Sequence, residues 1–245
     1  MTKITMKNQV ILENNLIKKI FINEQDFYTE YHFYKEYGEF DYIPKLINVK
    51  KQTLYLENIE GKSLYQITPD KQLLLAKTLG EFHNLSSIEF THREENNDKD
   101  ISGINTLVHN DTNLNNYIYS AVSTKSESDH AHSALLSQIK SNDSEPLEDK
   151  IFMFDFTEIS FDHPLCDVYS VLLFFCETHL PNIFTDFLIN FYELYFNTIK
   201  FDLKHSKEIL KKEILKFENR REKYGKCIYN YHYFLKNKDT MLKFY

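Results

Sequence analysis

Apolar and polar residues alternate over residues 1–10 and again over residues 16–21 (LIKKIF), the period of two expected of half-buried strands. A polar turn near Glu13, Asn14 and Asn15 separates the two runs, so the chain is expected to open on a hairpin. The period then lengthens. Phe27, Tyr28, Tyr31, Phe33 and Tyr34 recur at helical spacing from about Gln25 to Tyr37, with Gly38 as a stop. Residues 43–49 and 52–57 read as paired strands joined by a Lys-rich turn, and Asn58-Ile59-Glu60-Gly61 follows as a short link. Helical spacing returns over residues 70–86 through Leu73, Leu74, Ala76, Leu79, Phe82 and His83. Short apolar runs at 107–109, 116–119 and 151–156 flank polar segments. Residues 121–150, rich in Ser, Asp, Lys, His and Asn, read as a flexible insertion with one helix at 131–139. From Pro164 onward the pattern is helical, with one stripe at Leu165, Val168, Leu172 and Phe175 and a second over 184–196. A β-rich opening followed by a helical remainder predicts an α+β fold.

Composition narrows the class. Twenty Phe and seventeen Tyr in 245 residues supply a real core, and five Gly and five Pro favour long regular elements. The formal charge of −7 gives no overall basic footprint for nucleic acid or an anionic membrane; Lys- and Arg-rich stretches at 211–216 and 220–226 read as a solvated helix face. Cys166, Cys176 and Cys227 form no CxxC pair and lack zinc-ligand spacing. No apolar block resembles a signal peptide, and the longest apolar run is too short to cross a bilayer. The expectation is a soluble, cytoplasmic protein without a membrane partner.

Three features suggest chemistry. His109-Asn110-Asp111-Thr112-Asn113-Leu114-Asn115-Asn116 has the pattern H-x-D-x4-N in a loop between apolar runs. Phosphoryl transfer from ATP to a hydroxyl requires a carboxylate to accept the proton and oxygen ligands that hold Mg²⁺ against the phosphates, and such a loop offers both. Met153-Phe154-Asp155-Phe156 sets one acid in an apolar strand, where a charge is costly unless paired or bound to metal. Lys18 and Lys19 lie on the second strand and Glu30 on the next helix; a strand Lys paired with a helix Glu presents an ammonium to phosphates.

Taken together, these residues resemble the aminoglycoside-phosphotransferase and choline-kinase-like branch of the protein-kinase-like fold, over about residues 16–196. LAKTLGEFHNL at 75–85 resembles the helix before that family's catalytic loop, Phe154-Asp155-Phe156 its metal-binding segment, and Asp162-His163-Pro164-Leu165-Cys166-Asp167 the stretch whose last Asp braces the catalytic loop. The resemblance implies two lobes: a small β-rich nucleotide-binding lobe at 1–60 and a larger, mostly helical catalytic and substrate lobe at 61–245. It implies Asp111 as base, Asn116 and Asp155 as Mg²⁺ ligands, and Lys18 at the phosphates paired with Glu30. Lys19 is the alternative, since one residue of slip exchanges faces. Glu57 and Ile59 would meet the adenine of ATP at the hinge.

Two departures stand out. No glycine precedes Gly38, so a Gly-rich phosphate loop is absent, and Asn110 stands where the family usually has Gly. The acceptor expected is a small hydroxylated molecule of the aminoglycoside, choline, nucleoside or sugar kind, drawn by an acidic cleft if it carries an amine. A protein or RNA hydroxyl, docked on 204–226, and a nucleotide-binding pseudokinase are the alternatives.

Overall fold

The computed structural model describes residues 8–93, 100–121, 149–223 and 231–244. The chain opens with β1 (Gln9–Glu13) and β2 (Leu16–Ile20), an antiparallel hairpin closed by Asn14 and Asn15. Both turn residues take positive φ (51° and 60°), as a two-residue hairpin compatible with strand twist demands, and Asn tolerates that region best after Gly. Helix α1 (Glu24–Tyr37) follows, its first turn capped by the Asn23 side chain, which accepts from the Gln25 N–H. Gly38 ends it in right-handed rather than left-handed conformation. Strands β3 (Leu46–Val49) and β4 (Thr53–Glu57) complete a four-stranded antiparallel sheet in the order β1-β2-β4-β3. Leu54 and Leu56 face its core side, fully buried.

The connection out of this sheet passes through β5 (Lys62–Ser63), a two-residue strand that pairs with a later one. At Gly61 an added Cβ would lie 2.3 Å from the carbonyl oxygen of Tyr119, so only glycine lets the link pass so close to that backbone. The helix expected over 70–86 is split into α2 (Pro69–Gln72) and α3 (Leu74–Asn84), separated at Leu73. Next come β6 (Ile88–Arg93) and β7 (Asp100–Val108), a hairpin the apolar pattern did not reveal. The run at 107–109 is thus the end of a nine-residue strand, not a brief approach. Strands β8 (Tyr117–Ser120) and β9 (Lys150–Met153) pair with each other and, through β8, with β5. Strand β10 (Ser160–Asp162) pairs with β7. Of the proposed insertion and its helix, residues 122–148 lie outside the described residues, as do 1–7 of the first alternating run and Cys227 with the end of the basic stretch.

Four helices follow: α4 (Leu165–Thr178), α5 (Pro181–Thr198), α6 (Lys207–Lys223) and α7 (Tyr231–Lys243). Helix α4 is buried nearly all round, as its apolar sequence requires, and packs against α6 and α7. Helices α3 and α5 approach at Gly80, where an added Cβ would sit 2.8 Å from the Thr198 side chain. The described part is therefore a small antiparallel sheet with one helix, joined to a mostly helical body that carries two small sheets. Among the described residues, no helix is long and apolar enough to cross a membrane.

The end of α4 stores a pH dependence. His179 is buried among Phe175, Phe184 and Phe187, with Thr178 Oγ1 3.0 Å from its Nδ1. Burial lowers its pKa from 6.5 to about 4. The folded state thus holds the ring neutral where the unfolded chain takes up a proton, so stability present above pH 6.5 is lost as pH falls toward 4. The expected contribution is about 2–3 kcal/mol. Chemical denaturation across that range on wild type and His179→Gln checks it: the variant should show the shallower loss.

Candidate active site

The interaction that organises the site is made by Lys19. Its ammonium lies 2.5 Å from a carboxylate oxygen of Glu30 on α1 and 2.8 Å from Asp155 Oδ1 beyond β9. Strand β2 is thereby tied to α1 and to the segment after β9. Lys18, on the opposite face of β2, points outward, 2.9 Å from Glu13 on the hairpin partner and over the Tyr55 ring. The expectation that Lys18 pairs with Glu30 is corrected: Lys19 does so. The pleat decides it, because successive side chains leave a strand on opposite faces and only the odd-numbered residues of β2 face α1.

Two carboxylates share this one ammonium. Burial pulls Lys19 down, but Glu30 and Asp155 outweigh it and hold the ammonium charged. Burial raises the Asp155 carboxyl, yet Lys19 and the Thr157 hydroxyl, which donates to Asp155 Oδ1 at 2.9 Å, bring it below the ordinary range. Glu30 is completely buried, and burial pushes it up to about 7 against the pull of Lys19. Asp155 remains ionised and partly open to solvent, with 40% of its side chain exposed.

Asp155 is not within a strand as the apolar run implied. Strand β9 stops at Met153, and Asp155 adopts φ 62° at the head of a 3-10 turn over Phe156–Glu158. That reversal drives Phe156 inward, where its ring stacks on Phe33 of α1 at 4.0 Å and meets Tyr34 edge-on at 5.7 Å and His109 at 5.1 Å. A left-handed Asp costs conformational energy, and the buried Phe156 together with the Lys19 pair offsets it.

The loop 109–116 is held from below by Asp167 in the first turn of α4. Its carboxylate accepts from the His109 N–H (2.6 Å), the Asn110 N–H (2.9 Å) and His83 Nε2 (3.3 Å). Burial raises this carboxyl, but His83, His109 and the backbone donors outweigh it and leave it ionised below its usual range. Tyr195 lies 2.7 Å from the other His83 nitrogen and steadies that ring. Asn110 takes φ 63°, which explains why a small Asn can stand where Gly is usual, and its amide donates to the Glu158 carbonyl and to Ser160 Oγ. His109 Nε2 donates to the Phe154 carbonyl at 2.7 Å, so its role is to join the two loops. Asn116 Nδ2 donates to the Asp111 carbonyl (2.9 Å) and Asp111 Oδ2 (3.1 Å), fixing the carboxylate. The Phe154 N–H bonds the Asn116 carbonyl at 2.9 Å and draws the Asp155 and Asn116 segments side by side.

The structure therefore groups Lys19, Glu30 and Asp155, and separately Asp111 with Asn116, in adjoining loops. Glu57 ends β4, with its N–H bonded to the Lys45 carbonyl and its carboxylate accepting from the Lys45 N–H. Ile59, half-buried, lies two residues on. The hairpin register sets Leu12 opposite Ile17 and Val10 opposite Lys19, so the apolar side chains of β1 share the face of the ammonium. Sequence reading passed over Leu12 and Val10; their signal was alternation against Ile17 and Lys19.

A search of solved structures finds the gentamicin–APH(2'')-IIa complex, with a TM-score of 0.52 and 15% identity, covering 96% of this chain and 88% of that one. The fold is that of an aminoglycoside phosphotransferase. No family model matches the sequence, and no curated protein does. The two-lobed, protein-kinase-like α+β architecture expected from the motifs is thus present; at this identity the likeness carries the fold and nothing of the acceptor.

The two lysines separate cleanly in a stability experiment. Lys19→Met leaves Glu30 buried without its partner and is expected to cost about 3 kcal/mol or more, whereas Lys18→Met removes an exposed, solvent-screened pair and should leave stability nearly unchanged. Urea unfolding measures both, and adding Glu30→Gln to Lys19→Met should restore part of the loss. Equal costs for the two lysines would contradict the assignment.

Proposed function

We propose that the chain is an ATP- and Mg²⁺-dependent phosphotransferase acting on the hydroxyl of a small molecule, with residues 1–60 binding nucleotide and 61–245 supplying catalysis and the acceptor site. The observation that carries this reading is the buried Lys19 ammonium held between Glu30 and the ionised Asp155, beside a loop that fixes the Asp111 carboxylate.

The donor set fits Mg²⁺. Among the described residues no group of three His, Cys, Asp or Glu side chains could hold a metal by itself. A Mg²⁺ site usually needs only one or two protein oxygens, the rest coming from phosphates and water. Asp155, kept ionised, and the side-chain oxygen of Asn116 are those two. Bound there, the ion would neutralise charge on the phosphate oxygens. Lys19, already poised on Asp155, would contact phosphate, which assigns it the role first given to Lys18. Glu30 would keep the ammonium from swinging away. Leu12, Ile17 and Ile59 would offer apolar surface to adenine, with Glu57, whose N–H is spent on the Lys45 carbonyl, at the hinge.

Asp111 acts on the acceptor. Its carboxylate, oriented by Asn116, takes the hydroxyl proton as the oxygen forms its bond to the γ-phosphorus and the bond to the ADP leaving group breaks. The Asp167 brace holds this loop still, so the geometry is set before the acceptor arrives. The two-residue Asn14-Asn15 turn is too short to fold over phosphates as a glycine-rich loop does, which would leave charge neutralisation to Lys19 and to the ion that Asp155 and Asn116 would hold. A protein or RNA hydroxyl remains the second reading, supported by Lys211, Lys212 and Lys223 on α6, a helix that borders the acceptor side.

Phosphate transfer to a panel of hydroxylated acceptors, followed by ³¹P NMR, tests the reading. Asp111→Asn is expected to lower turnover by about 10³-fold or more with little change in nucleotide affinity, the pattern of a group acting in the transition state. Asp155→Ala should abolish Mg²⁺-dependent turnover. Normal transfer by Asp111→Asn would show that another group takes the proton.

A further inference from the structure

Next to the catalytic loop lies a cavity of about 210 Å³, bounded by Asn110, Glu158, Ser170 of α4 and three charged residues of α6: Glu213, Lys216 and Arg220. Its size lies below the roughly 300 Å³ at which drug-sized ligands begin, so it accommodates one small molecule and not a multi-ring one. Asp167 also lines the cavity, but its carboxylate is spent on two backbone N–H groups and His83; beyond it, the carboxylates of Glu158 and Glu213 face the cations of Lys216 and Arg220. Glu213 is buried and pairs with Lys216 at 2.6 Å. Arg220 and Glu158 pair at 3.4 Å with about half of each side chain exposed, a loose contact of the kind that contributes little on its own. Burial and the Asp111 carboxylate both raise Glu158, which sets this carboxylate within electrostatic reach of the base. Burial pushes the Cys166 thiol up to about 12, so the neighbouring sulfur is no nucleophile.

We propose that this cavity is the acceptor site and that it selects a small zwitterionic alcohol, one that carries an ammonium, a carboxylate and the reacting hydroxyl, such as a hydroxy amino acid. The proposal rests on the phosphotransferase reading and names its acceptor class. A zwitterion inserted between Arg220 and Glu158 replaces one loose ion pair by two: its carboxylate meets the planar fork of Arg220, its ammonium meets Glu158, and no charge is left over. A purely cationic alcohol entering there strands Arg220, and a purely anionic one strands Glu158, each at a desolvation penalty, while Glu213 and Lys216 keep each other. Asn110, the neighbour of Asp111 in the loop, bounds the cavity, so with the ammonium on Glu158 the hydroxyl is directed toward that loop. There it gives its proton to Asp111 while its oxygen forms the new bond to phosphorus and the bond to ADP breaks.

The test begins without nucleotide, so that it stands apart from catalysis. L-serine, L-threonine, L-homoserine, ethanolamine and glycerate are titrated into the full chain and followed by NMR shift perturbation. At least one of the three hydroxy amino acids should bind about tenfold or more tighter than both single-charge alcohols. Arg220→Gln should remove its advantage over ethanolamine, and Glu158→Gln its advantage over glycerate; both residues are half-exposed, and unchanged melting points would confirm intact folds. Ethanolamine binding as tightly as the amino acids, selectivity unchanged in both variants, or no binding by any member would each overturn the proposal. Turnover with Mg²⁺ and ATP is then measured on the same panel. Selective binding without turnover on any of them would sink the phosphotransferase reading and leave the site standing, whereas turnover confined to a single-charge alcohol would do the reverse.

Discussion

A lysine ammonium that is almost completely buried must be neutralised by groups brought to it, and at Lys19 those groups come from two distant parts of the chain. Glu30 lies on the helix after the first hairpin, and Asp155 lies 136 residues away from Lys19 beyond β9. Burying such a charge unpaired is far more costly than any single contact nearby could repay. The sheet, α1 and the segment after β9 are therefore fixed relative to one another by a single electrostatic requirement. The left-handed turn at Asp155, the inward position of Phe156 and the ring stack on Phe33 follow from it.

The second constraint works from the other side. Asp167 is a buried carboxylate satisfied by two backbone N–H groups of the 109–116 loop and by His83. Its position at the start of α4, the most deeply buried helix, makes the loop an extension of the core rather than a mobile surface segment. His109 then links that loop to the Phe154 carbonyl and Phe156 ring, so the two halves of the site share a floor. Asp111 and Asp155 hold their positions because residues with no part in the chemistry hold the backbone beneath them.

Much of this was legible in the chain. The hairpin, α1 with its stop at Gly38, the stripe of α4 and the order of strand Lys, helix Glu, loop Asp and Asn, and later Asp all follow from local spacing, whereas the Asn23 cap was not read. The choice between Lys18 and Lys19 did not, because two adjacent lysines on a strand differ only in the face they take, and that depends on tertiary packing. Asp155 read as a strand residue since MFDF is apolar on both sides; the turn arises from the need to reach Lys19, which no local pattern records. The hairpin of β6 and β7 was missed although Ile88-Glu89-Phe90-Thr91 alternates, because the alternation is short and gives way to polar residues. The pairing of Glu158 with Arg220 at the proposed acceptor cavity joins residues 62 apart in the chain, and α6 by itself reads as a basic surface helix.

The central claim is that Lys19, supported by Glu30 and set beside Asp155, forms a nucleotide-phosphate site. Calorimetric titration of ATP and of adenosine into wild type and Lys19→Met, with and without Mg²⁺, addresses it most directly. Mg²⁺-dependent ATP binding is expected in wild type, with a loss of about tenfold or more in ATP affinity in the variant and adenosine binding unaltered by the substitution, because the lysine acts on the phosphates alone. Equal ATP affinity in both proteins, or no ATP binding by the wild type, would contradict it.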